Sequence, residues 1–201
     1  AGALGFYSSS AMTGIKLVGT SQTVDFTASP SLRVPGLHFY SSTGATVTGT
    51  FALHATTSGT IVDHVSGNVD ATGSSITFSS TGAPTLTIKP GSIAFGGVTF
   101  TNNALNNISG STLSVNGALS LASIGSNRQL NGPIDAFGDV TYSSWGYTGS
   151  HTLTFKGNNS NLTIVGTPSY TNQNVTVSKT AGQKLSLGSN FSLAAARNLT
   201  V

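Results

Sequence analysis

The stretch that decides the fold is Ile108-Ser109-Gly110-Ser111-Thr112-Leu113-Ser114-Val115-Asn116-Gly117-Ala118-Leu119-Ser120-Leu121. It holds two apolar–polar–apolar triplets, Leu113-Ser114-Val115 and Leu119-Ser120-Leu121, separated by the turn signal Asn116-Gly117. Period-two alternation sends both apolar side chains of a triplet to one face and the hydroxyl to the other. Gly and Asn between triplets supply the backbone conformations of tight turns. Short strands joined by short turns follow.

The same phrase returns along the chain. Before the decisive stretch it stands as Ile76-Thr77-Phe78, Leu86-Thr87-Ile88 and Val98-Thr99-Phe100. After it come Leu153-Thr154-Phe155, Leu162-Thr163-Ile164, Val175-Thr176-Val177, Leu185-Ser186-Leu187, Phe191-Ser192-Leu193 and Leu199-Thr200-Val201. Strands of this length are too short to form a stable sheet singly and must be stacked. Two arrangements satisfy that need: a β-solenoid within one chain, or an intertwined β-fibre shared by three chains. The spacing between triplets wanders, so a single-chain coil of fixed repeat is not demanded. The fold class is all-β with negligible helix, and Ala194-Ala195-Ala196-Arg197 is too short a helical run to matter.

Composition points the same way. Charged residues make up 6% of the 201, against roughly a quarter in an ordinary soluble domain. There are five Asp, five Lys, three Arg and no Glu. Ser, Thr, Asn and Gly stand where a helical protein would place Glu, Lys and Gln, and they favour turns and strand surfaces. An apolar content of 37%, regularly patterned, is too high for a disordered linker. The net charge of +3 comes from cations scattered singly, without the dense basic stripe of a nucleic-acid binder. Cysteine is absent, which excludes disulfides and thiolate metal sites. No apolar run approaches the ~18 residues of a membrane-spanning helix. A cysteine-free, Thr/Ser/Asn/Gly-rich β-protein suits a virion appendage or a cell surface. With Ala1 in place of an initiating Met, the chain reads as a segment of something longer.

Four regions separate by rhythm. Residues 1–70 carry longer, irregular β-runs such as Leu37-His38-Phe39-Tyr40, with Pro30 and Pro35 marking a loop; 71–124 form a first triplet array and 150–201 a second. Between them, 125–149 breaks the rhythm and gathers Arg128, Asp135, Phe137, Asp139, Tyr142, Trp145 and Tyr147.

The stretch Ile108 to Leu121 resembles the shaft repeats of tailed-phage tail fibres, in which Gly/Asn turns alternate with Leu-Thr-Val-like triplets. The resemblance covers 71–124 and, more loosely, 150–201. It implies a homotrimeric virion fibre or spike segment that meets a host surface, with other virion proteins and a cell-surface glycan as partners. Bacterial autotransporter-type β-solenoid adhesins use similar phrases and are the rival family.

Three kinds of chemistry bear on the titratable and nucleophilic side chains. Paired carboxylates would serve a polysaccharide depolymerase, and Asp135 with Asp139 is the best pair, although the adjoining Gly132-Pro133 and Gly138 make both look like turn residues. His38, His54, His64 and His151 show no metal-ligand spacing; His38 and His54 are expected on outward strand positions. Abundant Ser without a Gly-x-Ser-x-Gly elbow gives no triad. The expectation is therefore no enzyme activity, no catalytic residues, no metal and no cofactor. Aromatic side chains stack on sugar rings, so Tyr142, Trp145 and Tyr147, with Arg128 and Asp139 fixing orientation, are the binding candidates. Thr-x-Thr pairs such as Thr85-Leu86-Thr87 and Thr152-Leu153-Thr154 suggest threonine ranks, but the wandering spacing argues against their alignment and leaves β-propensity as their reason. Sequons such as Asn161-Leu162-Thr163 and Asn174-Val175-Thr176 arise by chance in this composition. The expected function is a structural, receptor-facing fibre or spike segment; the alternatives are a secreted bacterial β-solenoid adhesin and a polysaccharide depolymerase.

Overall fold

A computed structural model of the chain describes residues 3–8, 13–28, 31–41, 43–101, 103–122, 129–143, 149–165, 174–189 and 197–201. These residues form an all-β, parallel β-solenoid of about seven turns, without helix. The chain opens with β1 (Ala3–Ser8). The first coil contains β2 (Thr13–Gly19), β3 (Gln22–Asp25) and β4 (Arg33–Val34). In the second, β5 (Leu37–Ser41) leads to the long β6 (Ala45–Ala55), and in the third β7 (Gly59–Ser66) leads to β8 (Val69–Ser80). The fourth contains β9 (Thr85–Lys89) and β10 (Ala94–Phe100). The fifth divides into β11 (Leu105–Ile108), β12 (Leu113–Val115) and β13 (Leu119–Leu121). The sixth holds β14 (Gln129–Ala136) and β15 (Val140–Tyr142), and the seventh β16 (His151–Gly157) and β17 (Ser160–Ile164). Beyond them lie β18 (Asn174–Lys179), β19 (Leu185–Leu187) and β20 (Leu199–Thr200).

Every strand pairs with the one a coil earlier or later, and all these pairings are parallel except β1 on β2. Three ladders result. In the first, Ile15, Leu37, Val62, Ile88 and Ile108 stand in register. The second aligns Leu113, Ile134, Leu153 and Val175. The third aligns Phe51, Ile76, Val98, Leu119, Val140 and Leu162. All of these residues are buried. The triplet is the cause: its two apolar positions face the lumen, where like side chains repeat at the ~4.8 Å strand spacing. Phe78 and Phe100, register partners, stack at that interval, with ring centroids 4.8 Å apart and 18° between planes.

The core is thus built within one chain. Wandering spacing does not prevent this, because the corners absorb it. Leu53, Phe78, Phe100, Leu121 and Tyr142 keep register although 21 to 25 residues separate successive members. At one corner the coils approach too closely for side chains. A Cβ on Gly117 would lie 2.2 Å from the Gly96 carbonyl oxygen, and one on Gly138 would lie 2.3 Å from that of Gly117. Pairing also crosses the boundaries drawn from rhythm. β6 pairs with β8 across residue 70, β13 pairs with β15, and β14 and β15 are ordinary rungs within 125–149.

Candidate interaction surface

The outward positions of the triplets form the accessible face. On the third ladder Thr77, Thr99, Ser120, Thr141 and Thr163 follow one another in register on five successive coils. On the second ladder the outward rank runs Ser114, Asp135, Thr154, Thr176 and Thr200. The Thr-x-Thr pairs themselves do not form paired ranks: Thr85 and Thr87 stand beside Leu105 and Asn107, and Thr152 stands between Pro133 and Asn174. What aligns is the single central hydroxyl of successive triplets, where ladder hydrogen bonds set the register. The third-ladder rank is half-buried, uncharged and made of short side chains.

Each of the five carboxylates is engaged. Asp25 accepts from the Thr27 amide and hydroxyl and from the Thr48 hydroxyl at 2.9 Å. Asp70 accepts from the Thr72 amide at 3.0 Å and its hydroxyl at 2.7 Å. Those threonine hydroxyls, foremost among the causes, hold both carboxyls below their ordinary range. Asp63 takes a bond from the Tyr40 hydroxyl at 3.3 Å and lies 3.9 Å from Lys89. Asp135 is bridged by the Lys156 ammonium at 2.6 Å. Asp139 accepts from both the amide and the side-chain nitrogen of Asn161, at 2.8 and 3.1 Å, and so clamps one coil to the next. The pair of carboxylates singled out for acid–base work is therefore divided between two separate structural contacts.

The binding candidates fare unequally. Tyr142 is a core residue, 1% exposed, in register between Leu121 and Ile164. Its hydroxyl lies 3.2 Å from Nε2 of the buried His151. The placement of Tyr142 on a binding surface is thus corrected, and the signal was in the sequence: Val140-Thr141-Tyr142 is itself an apolar–polar–apolar triplet. Arg128, Trp145 and Tyr147 lie outside the described residues. Phe137 is partly exposed, with its ring beside Gly157.

The histidines serve the coil. His38 occupies an outward position, between inward Leu37 and Phe39, yet it is buried because its ring folds over Gly14 and Gly36. Burial holds its imidazole below the ordinary value; nearby Asp63 opposes this and Lys16 adds to it. His54 bridges two coils, with Nδ1 2.9 Å from the Ser79 hydroxyl and Nε2 3.1 Å from that of Thr81. His64 contacts the Gly67 carbonyl at 2.7 Å. Among the described residues no group of three or more His, Cys, Asp or Glu converges on a metal position. No helix among them is long and apolar enough to cross a membrane.

One cation was missed from the sequence. Lys179 donates to the Lys156 carbonyl at 2.9 Å, the Asn158 carbonyl at 2.7 Å and the Ser160 hydroxyl at 2.7 Å, filling a corner of oxygens. Burial lowers its pKa, and Asp139 opposes that shift. Nothing in the triplet rhythm marks it, because its acceptors, two main-chain carbonyls and a serine hydroxyl, belong to a neighbouring coil.

Comparison of the chain with protein-family models, with curated proteins and with solved structures returns no match.

Proposed function

We propose that the chain is a surface-presented β-solenoid that acts as a structural and attachment module, projecting from a virion or cell and meeting a host surface through its outward hydroxyl ranks. The observation that carries the reading is the division of labour within each triplet. On the third ladder the apolar residues in register from Ile76 to Leu162 are consumed by the chain's own core, and the outward position is a neutral hydroxyl on five successive coils. Such a face makes many weak, interchangeable hydrogen bonds and gains strength by repetition. Glycans, which present arrays of hydroxyls, are the ligand class it suits.

Burial of the triplets within one chain favours the secreted β-solenoid adhesin over the three-chain virion fibre, because no partner chain is needed to cover them. A role without catalysis is supported by the engagement of every carboxylate in a structural contact. The test is binding of the labelled protein to host cells and to immobilised surface polysaccharides, alongside an assay for released reducing sugar. Thr99→Lys with Thr141→Lys, which breaks the hydroxyl rank on the outer face, should reduce retention at least tenfold while the β-spectrum is unchanged. Retention unaffected by that change, or sugar release by wild type, contradicts the reading.

A further inference from the structure

The outward rank of the first ladder is unlike the hydroxyl ranks. Lys16, His38, Asp63 and Lys89 follow one another in register on four successive coils. Tyr40 ties the file together. The Lys16 ammonium lies 4.1 Å from the centroid of its ring, and its hydroxyl lies 3.3 Å from Asp63, which is 3.9 Å from Lys89. A cation, an aromatic ring, a carboxylate and a second cation are therefore linked across four coils, with buried His38 filling the file between Lys16 and Asp63. Apolar surface adjoins them. Val18, the register partner of Tyr40, is 45% exposed. The pairing of β5 with β7 slips between Phe39 and Tyr40, so Val65 stands opposite neither and is 56% exposed. Bulges of this kind re-aim side chains and recur beside active sites. A purely structural clamp, such as Asp139 on Asn161, needs no exposed apolar border.

We propose that this file is a binding site for a carboxylate-bearing sugar of a surface glycan. The ligand class follows from the groups present. A sugar ring has a C–H face that packs on an aromatic ring and on the valines beside it. Its carboxylate suits the Lys89 ammonium, whose side chain is 49% exposed, in a charge-assisted hydrogen bond. Its hydroxyls can donate to Asp63, because an ionised carboxylate accepts more bonds than the Tyr40 hydroxyl supplies. Lys16 and Lys89 outnumber Asp63, so the file favours anions, whereas the third-ladder rank carries no charge with which to discriminate. The proposal rests on the attachment reading for glycan as the ligand, and it locates the choice of acidic over neutral sugars on a different face.

The test is calorimetric titration of the 201-residue chain with oligogalacturonate of uniform length and with its methyl ester, which removes the charge and keeps the ring. At low ionic strength the acid should bind roughly tenfold more tightly than the ester, and added salt should shrink the difference. Lys89→Gln should weaken the acid roughly fivefold and leave the ester unchanged, and Lys89→Arg should keep acid binding. Lys184→Gln removes an equal charge at an exposed position just before β19, and should bind as wild type does. Tyr40→Leu keeps an apolar side chain but no ring face, and should weaken acid and ester alike with the β-spectrum unchanged. Equal binding of acid and ester overturns the proposal, as does an equal loss in Lys89→Gln and Lys184→Gln. Absence of oligogalacturonate binding also overturns it. The hydroxyl rank of the third ladder, assayed on neutral polysaccharide, then stands or falls by itself.

Discussion

At Lys179 a single side chain does what a bound cation would do elsewhere. Three oxygens from the preceding coil surround its ammonium, two of them main-chain carbonyls. Lys179→Met keeps most of the volume and removes the donors, leaving acceptors partly shielded from water. A loss of about 1–3 kcal/mol is expected, read as a lower denaturant midpoint at unchanged slope. His38 makes a second prediction at this scale. Its imidazole is kept neutral in the fold, below the ordinary value of 6.5, chiefly by burial. Well above pH 6.5 neither folded nor unfolded chain binds the proton, and His38 adds no pH dependence. As pH falls through 6.5 the unfolded chain takes up the proton first, so stability declines until the depressed folded value is passed and then levels. A pH series of melts on wild type and His38→Gln should converge at pH 8 in slope and diverge below 6.5, with the variant flatter.

At the scale of the element, the triplet was legible and the corner was not. Leu113-Ser114-Val115 and Leu119-Ser120-Leu121 announce strands through alternation alone, and both are strands with inward apolar pairs. Asn116-Gly117 announces a turn, but nothing local says that this turn stacks beneath Gly96 and above Gly138. That requirement comes from neighbours 21 residues away on either side. The same distance hides the role of Asp139, a turn residue by sequence whose partner is Asn161 in the next coil. Tyr142 shows the opposite failure. Its triplet carried the correct message, and the surrounding aromatic residues drew attention to a surface role instead. The glycine corner gives a direct check. Gly117→Val would force a branched side chain against the Gly96 carbonyl, and overpacking of this kind costs about 1–3 kcal/mol. Gly110→Val, where a Cβ has open space but φ is +78°, separates backbone strain from the close approach. The expected order of thermal stability is wild type, then either variant below it, with added protease cleavage near residue 117 only in the first.

For the whole molecule the central claim is that one chain closes its own core, coil upon coil. Sequence periodicity left two assemblies open, because a triplet needs a covered face and does not say whose chain covers it. In-register ladders within a single chain answer that need, and the outward hydroxyl ranks then fall into line as a consequence. The cysteine-free background allows a direct test. Thr99 and Ser120 are register partners on adjacent coils, with the ~5 Å separation of neighbouring strands that a disulfide can span. Thr99→Cys with Ser120→Cys, oxidised at low protein concentration and run without reductant, should give a single cross-linked species of monomer mass. Linkage between chains into dimers and trimers, with no bond inside the monomer, would contradict the single-chain solenoid.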